Sequence, residues 1–241
     1  MSFSTPARSR LPPIILLGLL TAPIVILLLG QYSDLDLVLA DFLFDPVTRK
    51  FPWRHAWLTD AFGHVMLKKV LIAMAGIPLL LCAWDMVRPM AKWSSWFRLR
   101  MRVVALSALC IPLSVSTFKA LSSSHCPWDI ERYGGTAPYI RLLESLPESM
   151  APGYCLPAGH ATSALWLVSI ALFWWPHRPR AALLVGFMLL FLGFGIGWMQ
   201  QMRGAHFLSH TLWSMWIAAI MVIILFIALK QFSIHVMSKE S

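Results

Sequence analysis

The chain has 241 residues, 58% of them hydrophobic and 13% charged, with a net charge of +9. A soluble globular domain carries about 25% charged residues, so this composition excludes an ordinary water-soluble enzyme. The positive balance does not point to nucleic acid, because the Lys and Arg residues flank apolar runs and form no separate basic domain.

A helix that crosses a bilayer needs about 20 mostly apolar residues, and six runs are read that way. The first, residues 11–30, follows "ARSR". It is long for a signal-peptide core and no small-residue cleavage site follows it, so it is read as an uncleaved helix. The second covers residues 70–84, with a start a turn or more earlier, and the third covers 103–118. The fourth runs from His160 to Trp175, the fifth covers 181–200 and the sixth 211–229. The predicted fold is all-α, one integral membrane helix bundle over residues 1–241 with six transmembrane helices.

Basic residues fix the orientation, since cytoplasmic loops are rich in Lys and Arg. Arg8, Arg10, Arg88, Lys92, Arg98, Arg100, Arg102, Arg178, Arg180, Lys230 and Lys239 all fall on one side of six spans. Both termini are therefore expected in the cytoplasm. Residues 31–66, 119–159 and 201–209 are expected on the opposite side, where Asp and Glu dilute the cations. The loop 119–159 is too long for a simple connector and is expected to carry function. His64, Lys68 and Lys69, ahead of the second run, read as interfacial anchors.

Three outer segments hold ionisable groups at helix ends, where such groups are costly and tend to be functional. Lys119 leaves the third run in "KALSSSHCPWDIERYGG". "PAGH", residues 157–160, opens the fourth, with Pro157 suited to a first helical position. The amides of Ala158, Gly159 and His160 would then face an anion, and His160 would supply a proton. "RGAHFLSH", residues 203–210, opens the sixth, with His206 and His210 spaced to share a helix face. That segment has no glutamate of a metalloprotease motif and the four cysteines show no CxxC spacing, so no metal site is expected. A nucleophilic histidine beside a phosphate-clamping arginine fits it better. Each segment also has a plainer reading as a helix-start turn or an interfacial anchor. Only the coincidence of all three favours an anion site.

On these residues the chain resembles the type 2 phosphatidic acid phosphatase superfamily of lipid phosphate phosphatases. Its ordered motifs KxxxxxxRP, PSGH and SRxxxxxHxxxD read here as "KALSSSHCP" (119–127), "PAGH" (157–160) and "MQQMRGAHFLSH" (199–210). The resemblance covers about residues 100–216, and its flanking residues look like a bacterial subgroup of membrane-associated members. It implies that Lys119 binds the phosphate, that His160 is the general acid, and that His206 is the nucleophile of a phosphohistidine intermediate. It implies no metal and no cofactor.

Four positions depart from the pattern. Cys126 and Gln200 stand where arginines are expected, Ala158 replaces a serine, and His210 replaces the orienting aspartate. His210 is expected to accept a hydrogen bond from His206 in its place. Arg203 first, then Arg132 and Arg141, are expected to restore the lost phosphate contacts beside the amides of Ala158 and Gly159. Cys126 and Cys155 would lie in an oxidising compartment and are expected to form a disulfide. The expected activity is metal-independent hydrolysis of a lipid phosphate or diphosphate at the periplasmic face of a bacterial inner (cytoplasmic) membrane. The expected partners are that substrate and membrane lipids, with no nucleic acid. Two alternatives stay open: a lipid phosphotransferase using the same site, and a non-catalytic lipid-phosphate-binding protein.

Overall fold

The structure, a computed structural model, describes residues 12–240, with side chains to Ser233. Arg8, Arg10 and the Lys239 side chain, three members of the basic set, lie outside the described residues.

The described residues are helical, with no β-strand among them. Helix α1 is Pro13–Tyr32, with a proline at its first position, where a missing N–H costs nothing. Helix α2 is short, Leu35–Leu43. Helix α3 opens with π-helical turns at Leu58–Met66 and continues as Leu67–Val87. Helix α4, Ser95–Ala120, is capped by Ser94, whose hydroxyl accepts from the Phe97 N–H. Helix α5 is Thr162–Leu165, drawn out by 3-10 turns over Trp166–Phe173. Helices α6, Pro179–Met202, and α7, Leu208–Glu240, complete the bundle.

Five helices, α1, α3, α4, α6 and α7, are long and apolar enough to cross a membrane. The fourth expected run differs, because its apolar helix covers only Thr162–Phe173. Its 3-10 part rises about 2.0 Å per residue against about 1.5 Å in an α-helix, so it reaches further than its residue count suggests. The second run also differs. It begins at Leu58, so His64, Lys68 and Lys69 stand inside the helix rather than ahead of it.

The core lies between α3, α4, α5, α6 and α7, around Leu71, Ile111, Leu165, Ile196 and Ala218. Small residues let these helices approach closely. A Cβ on Gly197 of α6 would sit 2.3 Å from Thr211 Cγ2 of α7. Two basic residues near the start of α4 point into the protein rather than to the lipid surface. Arg98 bonds Asp85 at 3.0 Å, and the Arg100 guanidinium bonds the Trp175 carbonyl.

At the opposite end, α2 and residues 44–56 pack under the 119–159 loop. Phe44, Phe51 and Tyr133 form a cluster with ring centroids 5.1 to 5.3 Å apart. This cluster supports the turn between α6 and α7.

Candidate functional site

Lys119 lies in the last turn of α4. Beyond it the chain loops out and returns beside its own start. The Gly153, Tyr154 and Cys155 N–H groups donate to the carbonyls of Ser123, Ser122 and Ser124 at 3.0 to 3.2 Å. The Cys126–Cys155 disulfide fastens this return, with Cα atoms 5.3 Å apart. The "PAGH" segment is thereby delivered next to Lys119. It docks on α7, where the Ala158 N–H donates to the His210 carbonyl at 3.0 Å and Ser214 Oγ donates to the Ala158 carbonyl at 2.9 Å.

His206 reaches the same place through the α6–α7 turn. Gly204 holds φ +74°, a left-handed conformation that glycine adopts without strain. A Cβ there would collide with the Phe51 ring at 2.3 Å, while the Gly204 carbonyl accepts from the Trp128 N–H at 3.0 Å. Helix α7 starts just beyond, and Asp36 of α2 caps it by accepting from the Ser209 N–H at 2.9 Å and from its hydroxyl. Burial pushes the Asp36 carboxyl up, against the Ser209 hydrogen bonds that lower it.

The structure thus gathers Lys119, His160, His206 and His210 at one end of the bundle. The His160 and His206 ring centroids are 5.8 Å apart, as are those of His206 and His210. Lys119 acts electrostatically on all three rings.

Several expected details differ. His206 lies in the turn before α7, so it shares no helix face with His210. The two rings make no hydrogen bond, and the buried His210 Nδ1 has no partner. His206 Nδ1 instead faces Cys155, 3.4 Å from its Sγ, and the Cys155 backbone acts on both the His206 and His210 rings. The neighbour at His206 Nδ1 is therefore Cys155 and not His210. Pro157 does not open a helix, because α5 begins at Thr162. The Ala158 amide is spent on the His210 carbonyl and does not face an anion. Gly159 keeps an open face, where a Cβ would meet nothing within 4 Å.

The arginines also differ from expectation. Arg132 forms a paired bond with Asp41, and Arg141 bonds Asp34 and the carbonyls of Gln31 and Ser33. Neither is among the charges acting on His160 or His206, because nearer carboxylates hold them on the α1–α2 segment. Arg203 stays beside the site and acts on His160. Its guanidinium donates to the Arg54 carbonyl at 3.0 Å, to Gln200 Oε1 at 2.9 Å and to Asp60 Oδ1 at 2.8 Å. Gln200, fully buried, thus positions Arg203, while Asp60 offsets its charge. Two of the five guanidinium N–H groups remain for a ligand.

Three contributors lie outside the expected set. Asp36 and Asp60 are described above, and the third is His64, whose ring sits 4.4 Å from His160. The only sequence signal for His64 is its spacing of four from Lys68 at the start of an apolar run.

Burial dominates the electrostatics. It pulls His160 down to about 3, helped by the charges of His64, Lys68, Lys119 and Arg203. It holds His206 well below the ordinary histidine value, helped by His210, His160 and Lys119 and opposed by the Cys155 backbone. Both rings are therefore neutral near pH 7, which leaves His206 with a free electron pair. Among the described residues, one group of metal-type donors clusters within 4.8 Å: Cys126, Cys155 and His206. Thiolates ligate metals and disulfide sulfurs do not, so that cluster is no ligand set as it stands.

No curated protein and no solved structure matches the chain. A profile of the PAP2 superfamily matches residues 100–233, the stretch that carries Lys119, His160, His206 and His210. That match spans more than half of the chain, and it supports a phosphatase-type action on a lipid phosphate in a multi-pass membrane protein. The chain belongs to the PAP2 superfamily, the type 2 phosphatidic acid phosphatases.

Proposed function

We propose that the protein hydrolyses a lipid phosphate ester at the periplasmic face of a bacterial inner membrane, through a phosphohistidine on His206. The observation that carries this reading is the meeting of His160 and His206, 5.8 Å apart, beside Lys119, from three separate stretches of chain. Nδ1 of His206 lies against Cys155, which leaves Nε2 as the attacking atom. Lys119 and the free N–H groups of Arg203 neutralise the phosphoryl oxygens, and the open face of Gly159 admits them to the backbone.

His160 must carry a proton to serve the leaving oxygen, yet burial and nearby cations keep it neutral. A phosphate dianion brings opposite charge to the same ring and raises its pKa. Substrate binding and protonation of His160 are thus one coupled event. A lipid substrate fits the surroundings. A cavity of about 380 Å³ lined by Phe118, Leu121, Pro157, Trp213 and Trp216 adjoins the "PAGH" segment. The test is inorganic phosphate release from phosphatidic acid in detergent by the purified protein. His206→Ala should lose about 10³-fold or more of the rate. Release at the wild-type rate from that variant would overturn the reading.

A further inference from the structure

His64 and Lys68 lie before the family-matched stretch and belong to none of its motifs. They are one turn apart on α3, on the same face. His64 sits against His160 with ring centroids 4.4 Å apart, and the Nδ1 atoms of both rings are buried with no hydrogen-bond partner. Lys68 acts electrostatically on His64, His160 and Lys119. The imidazoles follow one another in contact order: His64 touches His160, His160 faces His206, and His206 faces His210. Among the described residues, neither Lys68 nor Lys119 pairs with a carboxylate, whereas Arg203 is paired with Asp60.

Geometry assigns the two groups a role. In an in-line displacement the attacking nitrogen and the departing oxygen lie on opposite sides of phosphorus. His206 marks the attacking side and His160 the departing side. Groups beyond His160 therefore meet the leaving group. An alcohol leaving group needs one proton there and has no use for a second cation. A phosphate leaving group, with its extra negative charge, has a direct use for a lysine and an imidazole N–H.

We propose that His64 and Lys68 bind the leaving phosphate of a lipid diphosphate, which makes a diphosphate the preferred substrate over the matching monophosphate. This rests on the phosphatase reading above and names the substrate class of that same site. The His206 Nε2 electron pair forms a bond to the terminal phosphorus as the bridging P–O bond breaks. The bridging electron pair stays on the departing lipid monophosphate, where Lys68 and His64 neutralise it. Water then cleaves the N–P bond, leaves with both its protons as dihydrogen phosphate, and returns the electron pair to Nε2.

The test compares farnesyl diphosphate with farnesyl monophosphate, which share one chain, using the purified full-length protein in detergent. The wild type should favour the diphosphate by about tenfold or more in kcat/KM. Lys68→Gln and His64→Gln should each erase most of that preference, read as the ratio of the two substrates' kcat/KM within one variant, because both groups also act on His160 and shift the two rates together. Lys68→Arg should keep the preference, which separates lost charge from lost folding. Inorganic pyrophosphate should inhibit the wild type more tightly than inorganic phosphate, and Lys68→Gln should level the two. An unchanged ratio in both variants, which includes an equal loss on both substrates, would overturn the inference while His206-dependent release leaves the phosphatase reading intact. If His206→Ala releases phosphate from both substrates as the wild type does, the phosphatase reading itself falls.

Discussion

Helices α1 and α4 make an instructive pair. The most apolar stretch of α1 has a mean hydropathy of 2.5 and is 6% buried, whereas that of α4 has a mean hydropathy of 1.7 and is 39% buried. In water the more apolar helix would be the more buried one. In lipid the bilayer already solvates apolar side chains, so burial falls to the helix with polar groups to shelter. Helix α4 carries the buried Ser107 and has Lys119 in its last turn. Helix α1 turns Leu, Ile and Val outward and packs on α7, where the Trp216 N–H donates to the Leu19 carbonyl at 2.9 Å.

Changes in the sheltered region should therefore cost far more than changes in α1. The largest effect is expected at His160. His160→Ala should lose about 10² to 10⁴-fold in kcat on a lipid monophosphate. It should lose much less on an aryl phosphate, whose leaving group needs no proton. Equal losses on both substrates would make His160 a phosphate-gripping residue rather than an acid.

Next comes the loop closure. Replacing Cys126 and Cys155 together by serine removes a crosslink spanning a sequence separation of 29. It should cost about 3–4 kcal/mol in the chain-entropy picture, seen as a lower Tm in detergent. Activity should fall as well, because Cys155 lies against His206 Nδ1.

A smaller effect separates helix from helix. Gly197→Ala places a Cβ 2.3 Å from Thr211 Cγ2 and should destabilise by about 1–3 kcal/mol. Gly18→Ala in α1 meets nothing within 4 Å and should stay within about 0.5 kcal/mol. Comparable Tm shifts for the two variants would break the contrast.

The pH dependence sharpens the same point. His160 and His206 have depressed values in the folded protein, so the unfolded chain binds more protons below its ordinary value of 6.5. Stability is full above that pH and falls as the pH drops below it toward 3, and His160→Gln should flatten the slope of Tm over pH 4 to 6.5. In the kinetics, bound phosphate raises the His160 pKa, so the alkaline limb of kcat should lie above that of kcat/KM.

Much of this was legible in the chain, for identifiable reasons. Apolar runs mark α1, α4, α6 and α7 because a bilayer imposes their length. Lys119, His160 and His206 stood out as charges at helix ends. The glycine after Arg203 was a readable stop signal for α6, yet the spacing of His206 and His210 suggested a continuous helix, and the turn breaks it. Other features depend on contacts far apart in sequence. Asp36 caps α7, Asp60 holds Arg203, and the Ala158 amide is taken by the His210 carbonyl. No local pattern announces them. His64 read as an anchor because α3 starts at Leu58, well before its long apolar run.

The support under the α6–α7 turn has a wider meaning. Phe51 roofs Gly204, Asp36 seats the start of α7, and Asp60 tethers Arg203, and all three come from the first quarter of the chain, ahead of the matched stretch. The motif-bearing segment is thus an incomplete machine: expressed alone, it would lack the scaffold that holds His206 and Arg203 in place. Ligand preference can then drift through edits upstream while every signature residue stays put.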